Sequence, residues 1–278
     1  MRLRRLAARR DCRRGPFADL QKSAEIMTQT PLPRTPAWPP RSAPRLFVAD
    51  ALDEGRMVVL DGPQAHYLGK VMRMREGDTV ILCDDITGEW AARIGEVGKH
   101  RVDVTVTQRL RPREAVPDLW LCPALLKKDR FDLILEKATE LGVARVQPVL
   151  TRRCVADRLN MERARAITTE AAEQCARTAL PVLTEPVKLD ALLSGWPEDR
   201  ALFFADETGG APAAGAFTAH SGPAAILTGP EGGFDDAERE RVRAHPAARA
   251  ITLGPRILRG ETAAIAALSL WMGTVGDW

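Results

Sequence analysis

Two junctions in this chain carry residue types suited to chemistry. LTGPEGGFDDAERE, Leu227 to Glu240, sets three glycines and a proline around Glu231, between an apolar run and a charged helical one. LGPRILRGETAAIAAL, from Leu253, repeats the plan: a strand end, Gly-Pro, Arg256 and Arg259, then an apolar helix. Gly229, Gly232 and Gly233 allow positive φ and let a ligand approach the backbone, while Pro230 fixes the turn. Neither stretch is G-x-G-x-x-G opening a helix, nor G-x-x-x-x-G-K-[ST], so dinucleotide and P-loop readings fail. A single glycine-rich turn is more often structural. Two such junctions close together point to a site.

The elements that must hold them follow the linker RPREAVPD. LWLCPAL, RVQPVL, RALFFAD, AAILTG and RAITLG are compact apolar runs of buried-strand type, separated by helical segments. This alternation predicts an α/β domain with a mainly parallel sheet, whose ligands bind outside the carboxyl ends of the strands. DRFDLILEKATELG predicts a helix with Asp129 as N-cap, ending at Gly142. A second helix is expected from about Asn160 to Ala179, and 209–222 reads as a loop. The last helix, from Glu261, is apolar nearly all round and must be buried on several sides.

Between Arg45 and Pro112 the pattern is short strands with polar turns: RLFV, RMVVL, TVILC, EWAARIG and RVDVTVT. It predicts a small antiparallel barrel. One helix interrupts it, GPQAHYLGKVMRMREGD, on which His66, Lys70 and Arg73 fall at i, i+4, i+7. That basic stripe suits a phosphate backbone, or is a solvated face.

Composition narrows the function classes. Residues 1–45 hold 11 Lys/Arg against 3 Asp/Glu, a balance of +8, and the remaining 233 hold 29 against 34, a balance of −5. Any basic patch on the folded body is therefore local. The five cysteines are scattered, with no C-x-x-C pair, and the four histidines show no ligand spacing. These features argue against a disulfide framework and a metal site and for a reducing, cytoplasmic setting. No apolar run reaches the ~18 residues of a membrane span. Residues 1–44, with seven prolines, read as a disordered leader. Three origins stay open: a transit peptide, an extension upstream of a start at Met27, or an arm on RNA phosphates.

TGPEGGF and LGPRILRGETA, with KKDRFDLILEKATELGV and EAAEQCAR upstream, together resemble the family of ribosomal RNA small subunit methyltransferase E. That family belongs to the knotted (SPOUT) methyltransferases and methylates N3 of a uridine in 16S ribosomal RNA. The resemblance runs from Arg45 to the C-terminus. It implies a PUA-like barrel over 45–112 and, over 113–278, an α/β domain with a trefoil knot cradling S-adenosylmethionine.

The resemblance places the cofactor on Leu227, Thr228, Gly229, Glu231, Gly232, Leu253, Gly254, Ile257 and Leu258. Uracil N3–H must lose its proton, which needs a base or cations that stabilise the anion. Arg177, Glu173 and Arg259 are the candidate catalytic residues, with Glu231 and Arg256 beside them. Glu173 and Arg177, at i, i+4, could equally be a surface ion pair. RNA would be held by His66, Lys70, Arg73 and Arg75 on the barrel. Arg152 and Arg153 would add to this from the segment 145–177, which has seven arginines against four acids. The implied partners are 16S rRNA, within the small subunit, and a second copy in a homodimer. Many members carry threonine where this chain has Gly260. Two other readings stay open: a knotted methyltransferase acting on another RNA such as tRNA, and a non-catalytic assembly factor.

Overall fold

The computed structural model describes residues 43–278. The expected leader of residues 1–44 lies outside them but for its last two residues. The chain opens with β1 (Arg45–Phe47), β2 (Met57–Asp61), α1 (Gly62–His66), β3 (Thr79–Cys83), β4 (Gly88–Val97) and β5 (Arg101–Pro112). The strands form one sheet in the order β1-β3-β4-β5-β2. Alternation does the sorting: Val102, Val104 and Val106 point inward with Leu60, Val80, Leu82 and Ile94, all at most 2% exposed. Each such burial is worth ~1.5–3 kcal/mol. The pairing departs from an all-antiparallel barrel, because β1 runs parallel to β3.

The interrupting helix is shorter than its sequence pattern. α1 gives way to a π-helical turn over Tyr67–Val71, and Arg73 takes a left-handed φ of 55°. The wider turn and the reversal break the 3.6-residue period, so His66, Lys70 and Arg73 do not share a helical stripe. All three remain exposed, as does Arg75.

The second half contains β6 (Leu119–Pro123), α2 (Lys128–Glu140), β7 (Arg145–Val146), β8 (Val149–Leu150), α3 (Met161–Cys175), β9 (Val182–Leu183), β10 (Val187–Lys188) and α4 (Leu189–Ser194). It continues with β11 (Ala201–Ala205), β12 (Ala211–Pro212), α5 (Ala213–Thr218), β13 (Ala224–Thr228), α6 (Asp236–Ala244), β14 (Ala248–Thr252) and α7 (Gly260–Val275). Seven strands make a parallel sheet in the order β12-β14-β11-β13-β6-β7-β9. Both faces are covered, which is why these strands read as unbroken apolar runs. Phe203 packs with α2, α5 and α7 on one face, and its neighbour Phe204 packs with α4 and α6 on the other.

Three local expectations need correction. Lys127, not Asp129, is the N-cap of α2, and Asp129 sits in its exposed first turn. α3 stops at Cys175 because Ala176 adopts a left-handed φ of 61°. Residues 209–222 are not a bare loop: α5 forms there because Phe217 is fully buried, edge-on to Phe203 at 4.9 Å.

The segment leaving α3 ties the two halves together. The Phe47 N–H donates to Glu173 Oε1 at 2.8 Å, and the Leu180 N–H donates to Asp85 Oδ1 at 2.9 Å. Glu89 is gripped by Arg45 (2.7 Å) and Arg111 (2.6 Å), and Arg111 also donates to the Ala176 carbonyl.

Candidate functional site

β11 lies between β14 and β13, so the carboxyl ends of these three strands stand side by side. The loops leaving them wall one cleft. Gly229, Pro230, Gly233 and Phe234 come from the loop after β13; Thr252 to Leu258 come from the loop after β14. Gly260 and Ala263 of α7 close one end. Ile251, Leu253 and Leu258 make an apolar wall, and Ile257 stands 85% exposed at the rim. Phe234 is held edge-on to Phe204 at 5.0 Å.

The opposite wall is polar. Asp206, directly after β11, accepts from Arg243 Nε at 2.8 Å and from the N–H and hydroxyl of Thr208, both at 2.9 Å. Arg239 of α6 donates to Glu207 Oε1 at 2.9 Å and to Asp236 Oδ1 at 3.0 Å. Asp206, Glu207 and Arg239 all line the cleft.

The two glycine-bearing loops meet at Gly260. A Cβ there would lie 3.0 Å from Leu126 Cδ2 and 3.1 Å from the Gly229 carbonyl oxygen. A threonine at this position therefore does not fit without a shift. Of the glycines expected to use positive φ, Gly233 does at +67°, as does Gly254 at +114°, whereas Gly229 and Gly232 do not.

The other expected cofactor residues have different places. Leu227 and Thr228 are buried beneath the loop, Leu227 in the core with Phe204 and Phe234. Glu231 accepts from the Lys127 N–H at 3.2 Å, so the glycine-rich turn supplies the cap that α2's own N-cap side chain does not. Gly232 offers its carbonyl to Arg153 Nη1 at 3.0 Å.

Arg152 and Arg153, expected on RNA, brace this turn. Arg152 pairs with Asp235 at 2.9 Å, and its N–H donates to Glu238 Oε1 at 2.8 Å. Asp235 and Glu238 form the capping box of α6. The Glu238 N–H, with Arg152 behind it, holds the Asp235 carboxyl below its ordinary value.

Glu173 and Arg177 do not line the cleft. α3 ends before Arg177, so the two are not partners on a helix face. Arg177 is 5% exposed and donates to the carbonyl oxygens of Thr139 and Val143. Burial lowers its pKa. Burial likewise raises that of Glu173, which faces the first strand of the barrel. Arg259 is exposed as the N-cap of α7, and Arg256 lines the cleft. Sequence reasoning missed Asp206, Glu207, Phe234 and Arg239. The signal was the acidic pair closing RALFFADE, at a strand end where ligands are expected.

A parallel sheet with a loop-built cleft at its carboxyl ends, behind a small β domain, defines a two-domain α/β protein with a ligand site at the strand ends. Residues 112–272 match the RNA methyltransferase domain family and residues 60–107 the RNA methyltransferase PUA domain. Ribosomal RNA small subunit methyltransferase E of Synechocystis is 34% identical over 232 residues, 81% of this chain and 76% of its own length. That of Bacillus subtilis is 30% identical, over 78% of this chain and 90% of its own. The crystal structure of the Neisseria gonorrhoeae protein of the same name, bound to S-adenosyl methionine, superposes with a TM-score of 0.77 at 28% identity, covering 85% of this chain and 99% of that one. The chain belongs to the family of ribosomal RNA small subunit methyltransferase E.

Proposed function

We propose that the protein transfers a methyl group from S-adenosylmethionine to N3 of a uridine in 16S ribosomal RNA. One observation carries the reading: in a chain of this family, the two glycine-bearing junctions, leaving the strands on either side of β11, meet in one cleft at the carboxyl ends of the parallel sheet. The cleft suits the cofactor. Backbone at Gly254 lies open to a flat base and Gly229 lines the same cleft against Phe234, with Leu253, Ile257 and Leu258 as apolar walls. When bound, S-adenosylmethionine supplies an already activated methyl electrophile. The chain's part is to position the uracil and favour its anion, for which Arg256 at the cleft and Arg259 at the start of α7 supply positive charge. We read the loops 227–232 and 253–259 as the knot, 45–112 as the RNA-holding domain, 113–278 as the methyltransferase domain, and 1–44 as dispensable.

His66, Lys70, Arg73 and Arg75 serve as RNA contacts, since all are exposed and none is ion-paired among the described residues. The partner is 16S rRNA within the small subunit, in the cytoplasm; among the described residues no helix is long and apolar enough to cross a membrane. A second copy covers the face of α7 carrying Ile265, Ala266 and Ser269, which this chain leaves half-buried. Sedimentation at micromolar concentration should give a dimer; a monomer overturns that element. The reaction is tested by labelled methyl transfer to assembled small subunits, naked 16S rRNA and tRNA, with the product mapped by mass spectrometry. Methylated uridine in the small subunit is expected. Label confined to tRNA, or none, overturns the proposal.

A further inference from the structure

The cleft has an acidic wall to which nothing above gives a task. Glu207 follows β11, the strand flanked by β14 and β13. The two loops that grip a ligand leave those flanking strands, so whatever they hold from both ends passes over the end of β11 at its middle. Glu207 lies in that middle position, on the cleft wall.

Its carboxylate is set in place from two sides. Oε1 accepts from Arg239 Nη2 at 2.9 Å. The carboxylate also rests against the backbone of Gly233, where a Cβ would lie 2.6 Å from Oε1 and 3.2 Å from Oε2. Gly233 has φ +67°, so its place in the turn excludes a side chain by conformation as well as by space. The glycine-rich turn is thus shaped around this carboxylate. Oε2 accepts no hydrogen bond among the described residues, and the side chain is 43% exposed. An ionised carboxylate with one oxygen anchored and the other open to a ligand cleft is an acceptor awaiting a donor. Asp206 cannot fill that role: its side chain is 1% exposed and engaged by Thr208 and Arg243.

We propose that Glu207 accepts the ribose hydroxyls of the bound nucleoside and that Gly233 and Arg239 position it to do so. This rests on the S-adenosylmethionine reading of the cleft. In that molecule the ribose is the middle part, with the adenine on one side and the sulfonium and amino acid on the other. The two donor types on offer are the ribose diol and the ammonium at the far end, and the central place of β11 selects the diol. A carboxylate after a parallel strand, accepting from ribose hydroxyls, is a solution that other nucleotide-binding α/β sheets also reach.

The test is calorimetric titration of the full chain with three probes: S-adenosylhomocysteine, methylthioadenosine, which lacks the amino acid, and 2′-deoxymethylthioadenosine. Wild-type protein should bind methylthioadenosine about tenfold or more tightly than its deoxy counterpart, as expected for a hydrogen bond to a charged acceptor. In Glu207→Ala that gap should shrink below about twofold, with S-adenosylhomocysteine and methylthioadenosine weakened by the same factor. Glu207→Gln, which keeps the shape, should fall between. Thermal melts of both variants check that the fold is kept. If S-adenosylhomocysteine alone weakens, Glu207 reads the ammonium and the proposal fails. If the deoxy gap persists in the alanine variant, the proposal fails while the cofactor reading stands. A wild-type protein that binds none of the probes overturns the cofactor reading and this assignment with it.

Discussion

Arg177 donates from Nη1 to the carbonyl oxygen of Thr139 at 2.8 Å and from Nη2 to that of Val143 at 2.6 Å. A guanidinium arriving from beyond α3 thus caps the last turn of α2, where carbonyls lack helical partners and a cation is favoured. Arg177→Ala should cost about 1–3 kcal/mol, because the Val143 carbonyl loses its donor while that of Thr139 keeps only the Gly142 N–H. Arg177→Lys should recover part of that in urea melts. Cofactor affinity of the folded variant should move less than about twofold; a large drop in affinity with unchanged stability would restore Arg177 to the site.

Gly254→Val forces a β-branched residue to φ +114°, a strain of about 1–3 kcal/mol, in open space where the ligand is expected. Gly229→Val acts differently, since its Cβ would lie 2.9 Å from the Phe234 ring. Both variants should lose at least about tenfold in S-adenosylmethionine affinity by calorimetry. Unchanged binding in both would remove these glycines from the site.

Glu89 gives the junction a pH dependence with a definite sign. Burial pushes its pKa up, but the hydrogen bond and charge of Arg111, and then Arg45, outweigh it and leave the value below the ordinary 4.5. Its stabilisation is complete above about pH 4.5 and is lost as pH falls through the depressed folded value. The stability gap between wild type and Glu89→Gln should be full near neutral pH and close in acid. A gap that is flat with pH would contradict this. Glu173 has the opposite sign: its burial-raised value means its ionised form opposes folding, a penalty relieved as pH falls.

Replacing Lys70 and Arg73 by Gln together should weaken RNA binding and lower the slope of log K against log salt by about 1.5. S-adenosylmethionine affinity should stay constant. An unaltered slope would make this turn an ordinary solvated surface, despite its exposed charges.

Legibility followed burial. ALFFA and AAILT could be read as central strands because both of their faces are packed, and both glycine junctions fell at the expected strand ends. The basic stripe could not be read correctly. It assumed α-helical period through Tyr67–Val71 and Arg73, where a π-turn and a left-handed residue intervene with no sequence signal. Arg177 misled because an arginine that caps carbonyls and one that meets a phosphate have the same local sequence. Glu207 was overlooked because its meaning comes from the order of strands, which places β11 between β14 and β13; strand order is set by long-range packing, not by neighbours in the chain.

The contact between Phe47 and Glu173 spans 126 residues. During synthesis, β1 emerges long before its acceptor on α3; at typical elongation speeds the interval is on the order of ten seconds. β1 can meanwhile lie along β3, only a few dozen residues away, which its parallel register with Ile81–Cys83 permits. The barrel can therefore assemble as the nascent chain leaves the ribosome, but its docking waits until α3 has been made. A stall or cleavage before that point would release a folded barrel with Arg45 and the Phe47 N–H still without their partners on α3.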